Sequence, residues 1–104
     1  MSPKPLAFLS LCVLTLAGVA RADEEFDVSV SHGVVKVQTK PGWHINQEYP
    51  WKLVFEGKKI DKAQFKLTEH AATVEAPKGT GKLRGAVCFG DAQCKPFETT
   101  VTVQ

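Results

Sequence analysis

The chain has 104 residues, of which 43% are hydrophobic and 23% are charged, with 13 basic and 11 acidic side chains. This length fits a single small domain, and no internal repeat, linker or low-complexity tract divides it. Residues 23–104 are therefore expected to form one domain.

The first 22 residues predict a secretory signal peptide. Lys4 precedes an apolar run over residues 6–20, and Ala20 and Ala22 supply the small residues of a cleavage site. The run is short for a membrane span, which needs about 20 residues, so an uncleaved anchor is the less favoured alternative. Cleavage after Ala22 leaves residues 23–104 as one exported domain, in the periplasm or secreted, without a stable membrane anchor.

Removal of the signal peptide changes both the charge and the cysteine count. Lys4 and Arg21 leave with it, so residues 23–104 carry 11 basic and 11 acidic side chains and no net charge. No basic surface for nucleic acid is therefore expected. Cys12 also leaves, and the remaining two cysteines in an oxidising compartment predict one disulfide between Cys88 and Cys94.

Short segments of alternating apolar and polar residues predict strands along residues 23–104. Turn residues separate them at 31–33, 41–42 and 56–59, and residues 77–81 predict a flexible loop. A single helical turn within 60–70 is the one alternative to strand. The predicted strands before the last stretch are 26–30, 34–39, 43–45, 51–55, 64–67 and 73–76.

The last stretch, residues 82–104, predicts a β-hairpin whose turn lies at residues 90–92. If Cys88 and Cys94 face each other across it, the register of the two arms is fixed. That register pairs Arg84 with Glu98, which is a favourable pair of opposite charges, and Gly85 with Phe97, whose ring would cover the glycine.

The same register divides the hairpin into two faces. Both cysteines are expected on the outer face, where a disulfide is accessible. Lys95 is expected to favour a thiolate at Cys94, whereas Asp91 in the turn would oppose one. The residues expected to face inward are Leu83, Val87, Phe97, Val101 and Val103.

Seven to eight short strands with regular turn signals predict an all-β fold, an immunoglobulin-like antiparallel β-sandwich. The core of so small a domain is modest. A disulfide that closes a seven-residue loop would add about 2.4 kcal/mol of stability by the chain-entropy model. The plainest role for the cysteine pair is therefore a structural cross-link.

Most other chemistries lack their residues. His32, His44 and His70 do not have the spacing of metal ligands, and no histidine follows either cysteine as a copper site requires. We therefore expect neither a metal nor another cofactor. No serine nucleophile motif or phosphate-binding glycine loop is present, so the only enzymatic activity expected is, at most, thiol–disulfide exchange. Trp43, Tyr49 and Trp51 are expected to serve packing rather than ligand binding.

One family resemblance rests on two motifs. The run Gly42-Trp43-His44-Ile45-Asn46, followed by Pro50, and the later Val-Cys-x₅-Cys-x-Pro stretch at 87–96 resemble the N-terminal periplasmic domain of the thiol:disulfide interchange protein DsbD. The resemblance covers about residues 42–103. It implies an immunoglobulin-like sandwich in which Cys88 and Cys94 form a redox pair that exchanges electrons with thioredoxin-fold partners.

The chain departs from that family in two respects. Residues 23–104 are short for the domain, and no segment matches the loop that caps the disulfide in the family. Two functions stay open. One is thiol–disulfide exchange with a thioredoxin-fold or other periplasmic protein. The alternative is a non-enzymatic binding module, in which the disulfide is only structural and a sheet edge binds a protein partner.

Overall fold

Ten β-strands and one short 3₁₀ turn make up the part of the chain that the computed structural model describes, which is residues 18–22 and 24–104, with side chains from residue 24 onward. The turn spans Lys62–Gln64, the segment where a helical turn was the alternative. The strands are β1 (Gly18–Ala22), β2 (Phe26–Ser31), β3 (Val34–Thr39), β4 (Trp43–Ile45), β5 (Lys52–Phe55), β6 (Lys58–Ile60), β7 (Lys66–Leu67), β8 (Ala71–Glu75), β9 (Gly79–Phe89) and β10 (Gln93–Val103).

These strands form two antiparallel sheets. The first has the order β1-β2-β3-β8-β7. The second has the order β10-β9-β5-β6, and β4 also pairs with β9, beyond the end of β5. The buried side chains of both sheets meet in one core, so the prediction of an all-β sandwich is confirmed.

The core follows from the two-residue periodicity of the strands. Every second side chain of β3 is buried, and so is every second side chain of β5. The largest fully buried side chain is that of Trp51. Its ring occupies the space where a Cβ atom on Gly85 would lie, so Trp51, rather than Phe97, covers this glycine.

Two predicted loop segments are strands instead. Residues 58–59 belong to β6, because Lys58 already faces Phe55 and the turn needs only Glu56 and Gly57, the latter at φ 78°. Residues 79–81 belong to β9, where Gly81 faces both Val101 and Phe55. The hairpin is therefore longer than its alternating pattern indicates.

The N-terminal prediction lies largely outside the described residues. Of the predicted signal peptide, residues 1–22, the structure describes only β1, which pairs with β2. The signal peptide and the cleavage after Ala22 stay predictions. No helix long and apolar enough to cross a membrane occurs among residues 18–22 and 24–104.

Candidate functional site: the cysteine pair at the hairpin tip

The long hairpin of β9 and β10 carries the two cysteines at its tip. Eleven facing pairs join the strands, from Gly79↔Val103 to Phe89↔Gln93, and the predicted register is confirmed throughout. Arg84 faces Glu98, with Nη2 and Oε1 3.5 Å apart, and Gly85 faces Phe97. Gly90 begins the turn at φ 63°, a conformation that suits glycine.

Cys88 and Cys94 form a disulfide between directly facing residues. The two sulfur atoms are 2.05 Å apart, and the two Cα atoms are 3.9 Å apart. The predicted pairing of these site residues is thus present in the structure. The bond connects neighbouring strands of one sheet and does not cross the core to the other sheet.

The two sulfurs of this bond belong to residues of very different exposure. Cys94 is exposed, because β10 is the edge strand of its sheet. Cys88, in a strand that runs between β10 and β4, is only 5% exposed, although it lies on the outer face with Arg84. The expectation that both cysteines are accessible is therefore wrong for Cys88.

His44 is the third side chain at the level of the disulfide. It faces Cys88 from β4, while Cys94 faces Cys88 from β10, so the three residues form one row across the sheet. Facing residues of antiparallel strands share a face and have Cβ atoms about 4.5–5.5 Å apart. We call this set, His44, Cys88 and Cys94, the disulfide row. His44 is half-buried within it.

Lys95 does not contribute to this row. Its Nζ donates a hydrogen bond to Glu25 Oε2 at 2.7 Å, and Glu25 lies directly before β2 of the other sheet. Successive side chains of a strand point to opposite faces, so Lys95 lies on the side of Phe97. The expected influence of Lys95 on a thiolate at Cys94 stays a prediction, and the partner of the ammonium in the structure is Glu25.

An aromatic pair lies beside the disulfide row, at the next facing pair of β4 and β9. The rings of Trp43 and Phe89 have centroids 5.2 Å apart, and Phe89 is 48% exposed. A Cβ atom on Gly42 would lie 2.7 Å from the Phe89 ring, and Gly42 has φ 90°. Because Gly42 has no side chain, the chain can pass directly against the ring of Phe89, which is the residue after Cys88.

The connection between β4 and β5 shapes the neighbourhood of Cys88. Ile45 pairs with Val87 and Lys52 pairs with Arg84, so the six residues 46–51 span a distance that only two residues cover in β9. This segment therefore loops out of the sheet. Asn46 holds its two ends together, since its N–H donates to the Ala86 carbonyl at 3.0 Å and its carbonyl accepts from Trp51 Nε1 at 2.8 Å. Trp51 lies in the core, and Trp43 and Tyr49 pack partly buried against it, so the packing prediction for all three is confirmed.

The other two histidines lie elsewhere. His32 occupies the turn between β2 and β3 and contacts Ser31, and His70 contacts Thr39. Among the described residues, no cluster of three or more histidine, cysteine or acidic side chains is placed to bind a metal. Sequence reasoning considered His44 only as a metal ligand; the missing information was the pairing of β4 with β9.

Comparisons with known proteins add nothing to this geometry, since no family model, curated protein or solved structure matches the chain.

Proposed function

We propose that this protein is an exported β-sandwich that exchanges electrons with a thioredoxin-fold dithiol partner through Cys88 and Cys94. The observation that carries the proposal is the exposure of Cys94 on an edge strand, at the tip of a hairpin. Exchange requires a partner thiolate to reach a disulfide sulfur along the S–S axis. An exposed cysteine on an edge strand offers that approach, whereas a disulfide inside the core would not.

The burial difference sets the order of the chemical steps. The partner's first thiolate attacks Cys94 Sγ, the Cys88–Cys94 bond breaks, and Cys88 leaves as a thiolate that then takes up a proton. A mixed disulfide now joins Cys94 to the partner. The partner's second thiol loses its proton and attacks the partner's own sulfur, which releases Cys94 as a thiolate that then takes up a proton. Two electrons and two protons have then moved from the partner's dithiol to this protein.

The aromatic pair supports a protein as the partner. Phe89 is 48% exposed, next to Cys88 in the chain, and Trp43 packs against it. Exposed aromatic side chains contribute strongly to protein–protein contacts when they become buried. An apolar contact beside the disulfide would position a partner's thiol over Cys94 without a permanent complex.

The motif resemblance and the export prediction support the class of partner. The motifs at residues 42–46 and 87–96 resemble the DsbD N-terminal domain, whose partners have the thioredoxin fold. The predicted signal peptide would deliver the chain to the periplasm, where such dithiol proteins act on disulfides.

The burial of Cys88 favours a second candidate function. A cysteine that is 5% exposed in a central strand is typical of a structural cross-link. In that case the domain would be a binding module whose disulfide is never reduced in the cell. The two functions differ in the reduction potential of the bond and in its reaction with partners.

The deciding experiment is a redox titration of the processed, exported chain against glutathione, combined with trapping by a thioredoxin whose resolving cysteine is replaced by serine. For exchange we expect a potential above about −300 mV, because exposed disulfides have higher potentials than structural ones. We also expect a mixed disulfide at Cys94, identified by peptide mass spectrometry. The Cys94→Ser variant, which keeps Cys88, is the control and should not be trapped. A potential below about −300 mV without any mixed disulfide would leave the structural function.

A further inference from the structure

We propose that His44 donates the proton that neutralises the Cys88 thiolate when a thiolate attacks Cys94, and accepts it again in the reverse direction. This inference rests on the proposed exchange function and adds the proton path to it. Histidine is suited to the task because it changes charge between about pH 5 and 8.

The need for a proton donor follows from the burial of Cys88. When the disulfide opens by attack on Cys94, the charge appears on the sulfur of a residue that is 5% exposed. A charge in so little contact with water is costly unless a partner compensates it. A group that is already next to Cys88 and carries a proton removes this cost.

The position of His44 meets that need. It faces Cys88 from β4, in the same row as Cys94 but on the other side. Attack therefore comes from the exposed side of the row, and the proton comes from the opposite side, so the two do not compete for space. Because His44 is half-buried, its ring also keeps access to water, from which it can regain a proton.

The charged side chains on the elements around β4 are either paired with one another or exposed, and Lys36 on β3 and Glu75 on β8 are among the exposed ones. One pair joins β9 to β10, one joins the residue after β3 to β2, and one lies in the loop before β8. They are Arg84 with Glu98, Lys40 with Asp27, and Glu69 with His70. Glu48 and Asp91 are exposed in the loop after β4 and in the hairpin turn.

The step balances as a proton transfer coupled to exchange. The attacking thiolate forms a bond to Cys94 Sγ, the electron pair of the S–S bond goes to Cys88 Sγ, and the imidazolium of His44 gives its proton to that sulfur. Neutral His44 then takes a proton from water. In the reverse direction, neutral His44 removes the proton from Cys88, whose thiolate attacks Cys94 and expels the partner thiolate.

The test uses dithiothreitol as the reductant, so that it does not depend on a protein partner. The rate of reduction is measured from pH 5 to pH 9 and divided by the fraction of dithiothreitol present as thiolate. For the wild type we expect this corrected rate to rise towards low pH, because an imidazole can donate a proton only in its charged form. In His44→Gln we expect a flat profile, with a loss of at least about tenfold at pH 5.5 and less than about twofold at pH 8.5.

Two further variants complete the design. His32→Asn removes an imidazole from the distant turn, where φ is 53° and asparagine is tolerated, and should keep the wild-type profile. His44→Phe retains the bulk of a ring if His44→Gln does not fold. A flat wild-type profile, or variant and wild-type profiles of the same shape, would overturn the role of His44 whatever partner trapping shows. Failure of trapping with an intact pH effect would instead count against the thioredoxin-fold partner alone.

Discussion

Lys95 Nζ and Glu25 Oε2 lie 2.7 Å apart, and their hydrogen bond joins the tip of β10 to the chain before β2 in the opposite sheet. The lysine is the direct neighbour of Cys94 in sequence, yet the bond holds it on the other face of the strand. The residue next to a cysteine in sequence points to the opposite face of the strand, whereas the residue that faces the cysteine on the neighbouring strand lies on the same face. The facing residue is therefore the better guide to the charges around each cysteine of this hairpin.

The Lys95→Gln variant should affect stability and leave the chemistry unchanged. We expect a loss of about 0.5 kcal/mol in the free energy of unfolding, since ion pairs with an exposed partner contribute about 0–1 kcal/mol. The rate of reduction by dithiothreitol should remain within about twofold of the wild type, because the ammonium lies on the face away from the disulfide row. Urea unfolding and stopped-flow reduction measure the two quantities, with Lys58→Gln as an exposed control. A rate loss of several fold at unchanged stability would contradict this assignment.

Removal of both cysteines should leave the domain folded. In Cys88→Ala/Cys94→Ala we expect the free energy of unfolding to fall by about 2 kcal/mol, the value for a loop this short in the chain-entropy model. The hairpin should persist because the other facing pairs of the ladder do not depend on the bond. Urea unfolding followed by circular dichroism tests this. A variant without β structure in the absence of urea would show that the cross-link is needed for the fold.

Phe97→Ala should be among the costlier substitutions in the hairpin. The Phe97 ring stacks on Phe26 of the opposite sheet with centroids 4.2 Å apart and meets the edge of Trp51 at 5.8 Å. Because Phe97 is only partly buried, we expect about 2–3 kcal/mol, below the 3–5 kcal/mol of a fully buried ring. Thr100→Ala, on the exposed face, is the control and should change stability by less than about 0.5 kcal/mol. Equal effects of the two substitutions would mean that Phe97 does not connect the sheets.

Gly42→Ala should destabilise the loop that supports the aromatic pair. A methyl group there would collide with the Phe89 ring, and φ 90° is unfavourable for any L side chain. We expect a cost of about 1–3 kcal/mol, the range for a strained backbone position. A double-mutant cycle with Phe89→Ala separates the causes, because removing the ring relieves the collision but not the backbone strain. If the cycle shows no coupling, the ring does not constrain residue 42.

Local pattern accounts for the hairpin and for most strand positions. One assumption, that the two cysteines face each other, determined the full register, since antiparallel pairing leaves no further freedom once one pair is known. β6 was missed because Lys58 and Lys59 resemble turn residues, although Ile60 is buried. The direction of Lys95 was available from the same alternation that placed Phe97 inward.

Features of the disulfide row that involve distant strands could not be predicted from the sequence pattern. The strand beside Cys88 is β4, which lies more than forty residues earlier in the chain and reaches β9 only in the folded sandwich. The pairing of His44 with Cys88 depends on the same contact. The alternation of apolar and polar residues within β4 and within β9 does not indicate that these two strands are neighbours, or in which register they pair.

Cys88 is paired through the backbone with β10 on one side and with β4 on the other, and the disulfide adds a covalent bond to the pairing with β10. Opening the S–S bond therefore removes none of the pairing that gives the sheet its shape. The oxidised and reduced forms would present nearly the same surface to a partner, so binding alone would hardly tell them apart. If the pair exchanges electrons as proposed, the direction of electron flow would depend on the reduction potentials of this disulfide and of the partner's cysteine pair, and the partner would leave without waiting for this domain to rearrange.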